Sequence, residues 1–369
     1  MSQKDLFIGL MSGTSLDGID AVAVRFKPNF EMVATHAEEI PATLKNDILI
    51  LTQPGDHEID LMGKVDRSLG KLFAKTVNDL LSKNGLSAEQ VSAIGSHGQT
   101  IRHRPEFGFT LQIGDANQIA ELTGITTVAD FRRRDMAANG QGAPLVPAFH
   151  HAMLHSNESN RILLNIGGMA NLTFLPKSEE HSILGFDTGP GNALLDAWIK
   201  HCRDLPFDQN GEWALTGSIN EDLLDQLSSI EYFSEPPPKS TGREQFNLAW
   251  LKQTLATFPE IKAEDVQRTL LELTATSITD AIKAHIPSQV FELYICGGGS
   301  FNQALTRRIS DLLPAINVSN SDDIGIDADW MEAAAFAWLA MRCLDGKAGN
   351  NPNVTGAKGD RILGAIYQA

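Results

Sequence analysis

A strand, a small glycine-containing polar turn and a second strand occur twice in this chain, and this pair constrains the fold more than any other feature. The first copy runs Phe7-Ile8-Gly9-Leu10-Met11, then Ser12 to Gly18, then Ile19-Asp20-Ala21-Val22-Ala23-Val24. The second runs Ile162-Leu163-Leu164-Asn165-Ile166, Gly167-Gly168-Met169, then Ala170 to Leu175. Apolar runs bounded by Gly, Ser, Asp and Asn read as hairpin strands. The two copies are not a fixed-period repeat; they suggest two related sheets, each beginning with a hairpin.

Helical patterns fill the remainder. Met62, Val65, Leu69, Leu72, Phe73, Val77, Leu80 and Leu81 recur at three- and four-residue spacing. Asn84-Gly85 stops that helix, Ser87-Ala88-Glu89-Gln90 reads as a capping box, and a strand follows to Ile94-Gly95. After the second hairpin come the turn Phe186 to Asn192 and a helix carrying Leu194, Leu195, Trp198, Ile199 and Cys202. Residues 234–247, with Pro236-Pro237-Pro238, read as a loop. A helix over 263–285, a strand over 290–296, Gly297-Gly298-Gly299-Ser300 and a helix with Leu305, Ile309, Leu312 and Leu313 come next. An Ala-rich helix over 329–345 ends at Gly346, and 348–359 reads as a loop. Strands alternating with helices, the early strands in hairpins, predict α/β domains with mixed sheets rather than one parallel doubly wound sheet. A chain of 369 residues is too long for one simple core and predicts about two domains.

The charge balance narrows function. Thirty Lys+Arg against 46 Asp+Glu leaves −16, which repels nucleic acid and anionic membranes. No apolar run is long enough for a spanning helix. The first ten residues lack the basic region, apolar stretch and cleavage site of a secretory signal, so a cytoplasmic location is expected. Cys202, Cys296 and Cys343 are odd in number and far apart, so no disulfide framework or zinc site is expected; all three are expected to be inert core thiols.

Three glycine turns share one chemistry: Ser12–Gly18, Phe186–Asn192 and Gly297–Ser300 are small, rich in backbone N–H and placed beside strands. Such turns let a phosphate approach the backbone, and they serve equally as plain hairpin turns or helix caps. None matches the Walker A pattern or the dinucleotide fingerprint. Carboxylates at Asp17, Asp20 and Asp187 accompany two of the turns, and phosphoryl transfer needs donors plus a positioned acid. Asp187 reads either as an acid aimed into a cleft or as an Asx-turn acid bonded to its own backbone. His97, in Ser96-His97-Gly98-Gln99-Thr100, reads as a sugar contact or a structural imidazole. Arg132, in Arg132-Arg133-Arg134, reads as a receptor for a substrate carboxylate or as part of a salt-bridged surface turn. Glu332 suits the start of the last helix through the helix dipole. His151 and His155 lack the glutamate of a zinc-protease helix. Lys239-Ser240-Thr241-Gly242 has no preceding strand and reads as flexible loop.

Taken in order, the motifs resemble one family. They are Met11 to Asp20, Gly95 to Thr100, Leu111 to Asp115, Asp130 to Asp135, Gly140 to Pro147, Asn165 to Gly168, Phe186 to Asn192 and Cys296 to Ser300. The chain resembles the anhydro-N-acetylmuramic acid kinases of bacteria from about residue 6 to 367. The resemblance implies an actin-like, acetate-and-sugar-kinase fold of mixed sheets with an interdomain ATP cleft. It implies one domain over 1–130 plus 331–369 and another over 131–330. ATP is the implied cosubstrate, with Mg²⁺ expected beside Asp17 or Asp20; the metal ligands stay unassigned. Gly13, Thr14, Ser15, Leu16, Asp17, Gly18, Ile19 and Asp20 would take the phosphates. Gly189 and Gly191 would also face the nucleotide, and Gly297, Gly298, Gly299 and Ser300 the adenosine. Asp187 would be the catalytic base, with His97, Arg132 and Glu332 touching the sugar. The implied reaction opens 1,6-anhydro-N-acetylmuramic acid with water and phosphorylates O6, in peptidoglycan recycling. A homodimer is expected, without nucleic-acid or membrane partners. A levoglucosan-type kinase and an actin-type ATPase scaffold are the competing readings.

Overall fold

The computed structural model describes residues 4–13, 16, 18–178, 180–287, 291–324 and 327–369. The chain separates into two compact units, Met1–Met153 with Trp330–Ala369, and Leu154–Asp329. The boundary expected at 130/131 thus falls inside the first unit, which also holds residues 131–153.

The first unit is built on a six-stranded sheet. Its strands are β1 (Leu6–Met11), β2 (Gly18–Arg25), β3 (Glu31–Glu39) and β4 (Val91–Ser96). A separate ribbon pairs β5 (Gln99–Arg104) with β6 (Phe109–Ile113), and β7 (Thr127–Ala129) returns to the main sheet. β1, β2 and β3 form an antiparallel meander; β4 runs parallel to β1 and β7 parallel to β4. The second unit repeats that plan with β8 (Asn160–Ile166), β9 (Met169–Leu175), β10 (Leu184–Pro190), β11 (Phe291–Cys296) and β12 (Asn317–Asn320). β8, β9 and β10 form the meander, β11 runs parallel to β8, and β12 parallel to β11. The final strand, β13 (Ala365–Tyr367), closes the first sheet against β7. The repeated order and directions make this the actin-like, sugar-kinase class of α/β fold with mixed sheets. Each unit has its own apolar core.

Strand alternation explains how helices cover the first sheet. Ile8, Leu10 and Ile94 share a buried cluster with Val65, Leu69 and Phe73 of the helix Glu58–Lys83. The neighbours Gly9 and Gly95 point to the opposite face. There the helix Met331–Leu344 crosses so closely that a Cβ on Gly9 would lie 1.8 Å from the Ala333 carbonyl oxygen. A Cβ on Gly95 would lie 2.0 Å from that of Phe336. The Ala-rich sequence of this helix suits backbone-to-backbone contact.

Two details depart from expectation. Cys202 is exposed, because it falls on the outer side of the helix Ala193–Arg203; Cys296 and Cys343 are buried. The tail after residue 348 is anchored. Asp135, fully buried, accepts hydrogen bonds from Asn350 Nδ2 (2.8 Å), Thr355 Oγ1 (2.8 Å) and the Gly142 amide (2.9 Å). Among the described residues no helix is long and apolar enough to cross a membrane.

Gly95→Ala should lower unfolding stability by about 1–3 kcal/mol, since nothing around the added methyl is a flexible side-chain end. Gly63→Ala, exposed in the helix Glu58–Lys83 with open space around it, should raise stability by about 1 kcal/mol. Urea titration of both variants checks the contrast; equal effects would contradict the close-approach account.

Candidate active site

In the first unit, three segments end at one edge of the sheet, the carboxyl ends of parallel strands where α/β proteins bind ligands. The turn after β1 is one. Gly13 accepts the Leu16 amide at 3.3 Å, and Leu16 sits left-handed at φ 58° with its side chain buried. A branched residue rarely adopts that conformation, so the turn carries strain. The Ile19 side chain lies in the core, so any ligand contact from it is through the backbone. Asp20 pairs with Met11 at the base of the turn, and Gly18 runs beside Glu38. Thr14, Ser15 and Asp17 lie outside the described residues.

The second segment is His97, which follows β4 and is 6% exposed. The third is the helix Phe131–Met136 after β7. Arg132 Nη2 lies 2.9 Å and Nε 3.3 Å from His97 Nε2, while Nη1 donates to the Gly142 carbonyl at 2.9 Å. Guanidinium only donates, so Nε2 accepts and the imidazole proton resides on Nδ1. Burial, and then the Arg132 cation, depress the His97 pKa to about 3, so the ring is neutral at physiological pH. Burial lowers Arg132 to about 10; Glu332 and Asp135 oppose the fall, and it stays charged. Glu332 is half-buried in the first turn of the helix Met331–Leu344. Phe336, one turn on, packs against His97, ring centroids 4.7 Å apart and the rings tilted by 47°.

The two readings of the arginine run divide between neighbours. Arg133 is exposed and pairs with Asp130, Nε to Oδ1 at 2.7 Å, as a surface ion pair. Arg132 turns inward instead. A cavity of about 260 Å³ opens beside His97, lined by Asp66, Gln112, Asn117, Asp130 and Arg133 among others, a mixed polar wall of the kind that suits hydroxyl groups.

In the second unit, Asp187 sits half-buried on β10. Its Oδ2 accepts the Thr241 amide at 3.0 Å, its backbone N–H donates to the Lys239 carbonyl at 3.1 Å, and its carbonyl accepts the Tyr232 hydroxyl at 2.6 Å. The carboxylate bond thus comes from 54 residues away, not from a local Asx-turn. Burial raises Asp187 to about 6; the Thr241 amide pulls it down and Glu244 pushes it up. Desolvation thus outweighs the single amide donor.

The partners of Asp187 went unrecognised in the sequence. Lys239 to Gly242 read as flexible loop, yet Lys239 is buried, and its Nζ donates to the carbonyls of Tyr232 (2.9 Å) and Phe233 (3.3 Å). The one available signal was a lysine beside Pro236-Pro237-Pro238, which composition alone does not distinguish from a solvated loop.

The glycine turns of this unit meet at one end of its sheet. The amides of Gly191, Asn192 and Ala193 donate to the carbonyls of Gly168, Gly167 and Gly168 at 2.8–3.0 Å. A Cβ on Gly191 would lie 2.4 Å from the Gly167 oxygen, so Gly191 contributes close approach of two turns and spends its amide there. Gly189 is buried beneath Phe233. Gly297, left-handed at φ 76°, passes Asn165, and Gly299 packs on Ile166. The Ser300 amide returns to Gly297, and Gly298 is the exposed member. Among the described residues, His36, Glu38 and Asp79 lie within metal-ligand distance of one another. Lys75 bridges Glu38 (2.8 Å) and Asp79 (2.9 Å), so that cluster is already charge-compensated.

Comparison with known proteins adds an independent finding. A family model described as anhydro-N-acetylmuramic acid kinase matches residues 5–369. A Shewanella sediminis protein of that name is 53% identical over 367 residues, covering 98% of each chain. The Coxiella burnetii protein of the same name is 51% identical over 366 residues, covering 99% of this chain and 98% of its own.

An acid whose folded pKa lies above its unfolded value of 3.8 binds its proton more tightly when folded, so stability falls as pH rises from about 4 through about 6. Asp187→Asn removes that penalty. It should be more stable than the parent at pH 8, by up to about 3 kcal/mol, and the gap should close below pH 4. Unfolding curves at both pH values check this; a gap independent of pH would contradict the assigned burial.

Proposed function

This chain belongs to the anhydro-N-acetylmuramic acid kinase family, and from that membership we propose how it works on 1,6-anhydro-N-acetylmuramic acid. It is an ATP-dependent sugar kinase. The observation that carries the reading is the match over residues 5–369, which takes in every motif named above. Water attacks C1 of the anhydro sugar, the C1–O6 bond breaks, and O6 accepts the terminal phosphoryl group of ATP. The water oxygen stays on C1, its proton passes to Asp187, and ADP leaves. The product is N-acetylmuramic acid 6-phosphate, which fits recycling of cell-wall sugar.

Asp187 is the general base. A pKa of about 6 leaves most of it ionised at neutral pH and makes it more basic than an ordinary carboxylate. Its three bonds to Tyr232, Lys239 and Thr241 support that role by holding both backbone and carboxylate. Arg132 is the partner for the lactyl carboxylate: a half-buried, charged guanidinium gains from an anion where water is scarce. Neutral His97 orients that guanidinium beside the sugar, with its Nδ1 edge buried against the protein. Glu332 contributes an acceptor to the same side. The turn from Gly13 to Asp20 receives the phosphates, with Leu16 and Ile19 acting through their backbones, and Gly297 to Ser300 faces the adenosine. Gly189 and Gly191 shape the second turn by packing. Mg²⁺, when bound with ATP, offsets phosphate charge; Asp20, a hard oxygen donor at the base of the turn, is the described carboxylate of the right class to hold its water shell.

Asp187→Asn should retain ATP binding and lose about 10²-fold or more in kcat. With ¹⁸O-labelled water, the label should appear at C1 of the product and not in its phosphate, read by mass spectrometry. Label in the phosphate would refute attack at carbon. Arg132→Ala should raise KM for the anhydro-muramic substrate far more than for levoglucosan, which lacks the lactyl acid. Equal losses on both sugars would remove the carboxylate role. ADP release that ignores the sugar would instead favour the ATPase-scaffold reading.

A further inference from the structure

We infer that the buried hydrogen bond between Ser12 and Gln99 is a positioning contact that holds the phosphate turn in register with the sugar-binding histidine. The inference rests on the proposed reaction and extends it to two residues outside the roles assigned above. Ser12 and Gln99 are 1% and 2% exposed. Ser12 Oγ donates to Gln99 Oε1 at 2.7 Å and also lies 3.3 Å from the Gly18 carbonyl. A hydroxyl has one proton, and the shorter contact, to Gln99, takes it. Ser12 therefore touches both ends of its own turn and, through its strongest bond, another segment 87 residues away.

That other segment turns tightly against β6. Gly98 sits at φ 72°, and a Cβ there would lie 2.7 Å from the Ile113 carbonyl oxygen, so the chain turns tightly before Gln99. Gln99 begins β5 and pairs with Ile113 of β6. Its Nε2 faces the Thr100 carbonyl at 3.3 Å, which sets the amide so that Oε1 points to Ser12. Two residues earlier, the His97 amide donates to the Leu10 carbonyl at 3.0 Å. One backbone bond and one side-chain bond thus stitch residues 97–99 to residues 10–12. The pairing of β1 with β4 and β2 reaches only to Leu10 opposite Ser96 and Met11 opposite Asp20, so it holds the base of the turn and not Ser12 itself. The side-chain bond holds that residue.

Transfer requires the terminal phosphorus to face O6 within a few tenths of an ångström, and a misplacement of about 1 Å costs on the order of 10²-fold in rate. Losing the clasp should therefore lower kcat and spare ground-state binding. Ser12→Ala and Gln99→Met should each cut kcat 10- to 100-fold, with KM for ATP and for the anhydro sugar changing less than threefold. The double variant should be no worse than either single one, since both remove the same bond. Ser12→Thr keeps the hydroxyl and should restore kcat to within threefold of the parent. Ser12→Cys, a similar volume with a weak donor, should fall between; it also guards against a variant that fails to fold. Rates are to be scaled to folded enzyme from thermal unfolding. Near-parental kcat in the folded fraction of these variants, or a raised KM for ATP with unchanged kcat, overturns the inference. A parent enzyme with no sugar-dependent transfer would instead overturn the proposed reaction.

Discussion

The approach of the helix Met331–Leu344 to bare backbone at Gly9 and Gly95 is the constraint on which the placement of the first unit's polar cluster depends. A side chain at either position would lift the helix off the sheet. The same helix carries Glu332 in its first turn and Phe336 one turn later, so its height over β1 and β4 sets where both stand relative to His97. The sheet then places His97 directly after β4 and Arg132 in the helix that follows β7, three residues past its end. Packing at backbone level thus delivers a polar cluster with little freedom left in its parts.

Desolvation gives the groups in both units their working charge. His97 is held neutral and Arg132 remains a cation although burial weakens it. That division needs the two to be neighbours: a protonated imidazole beside a guanidinium would be two cations in one poorly hydrated place. In the second unit, the same desolvation raises Asp187 toward neutrality against one amide donor. A carboxylate in that condition is a better base and a poorer structural residue, the exchange between activity and stability that the proposed role of Asp187 implies.

Much of the architecture was legible because it depends on local pattern. The two hairpins, the helix after residue 58, the capping box at Ser87–Gln90 and the last helix follow from period, caps and glycine placement. The candidate residues were legible as types in suggestive places. What was not legible was long-range. Lys239 to Thr241 looked like solvent-exposed loop because nothing local shows that β10 will need an amide and a carbonyl beside Asp187. Arg132 and Arg133 are adjacent in sequence, and only the helix orientation turns one inward and leaves the other with Asp130. Cys202 kept helical spacing with apolar neighbours yet lies outside the buried stripe, since spacing fixes a face only to within about a residue's turn.

The amino-acid order by itself determined which segments become strands and helices, that the sheets would be mixed, and which family the motifs resemble, because these rest on periodicity and on residue identity. Tertiary structure alone decided the charge states of His97, Arg132 and Asp187, the loop that holds the proposed base, and the Ser12–Gln99 clasp. Each of these arises from groups far apart in the chain that share one poorly hydrated place, and burial and dielectric are properties of that place rather than of any stretch of sequence.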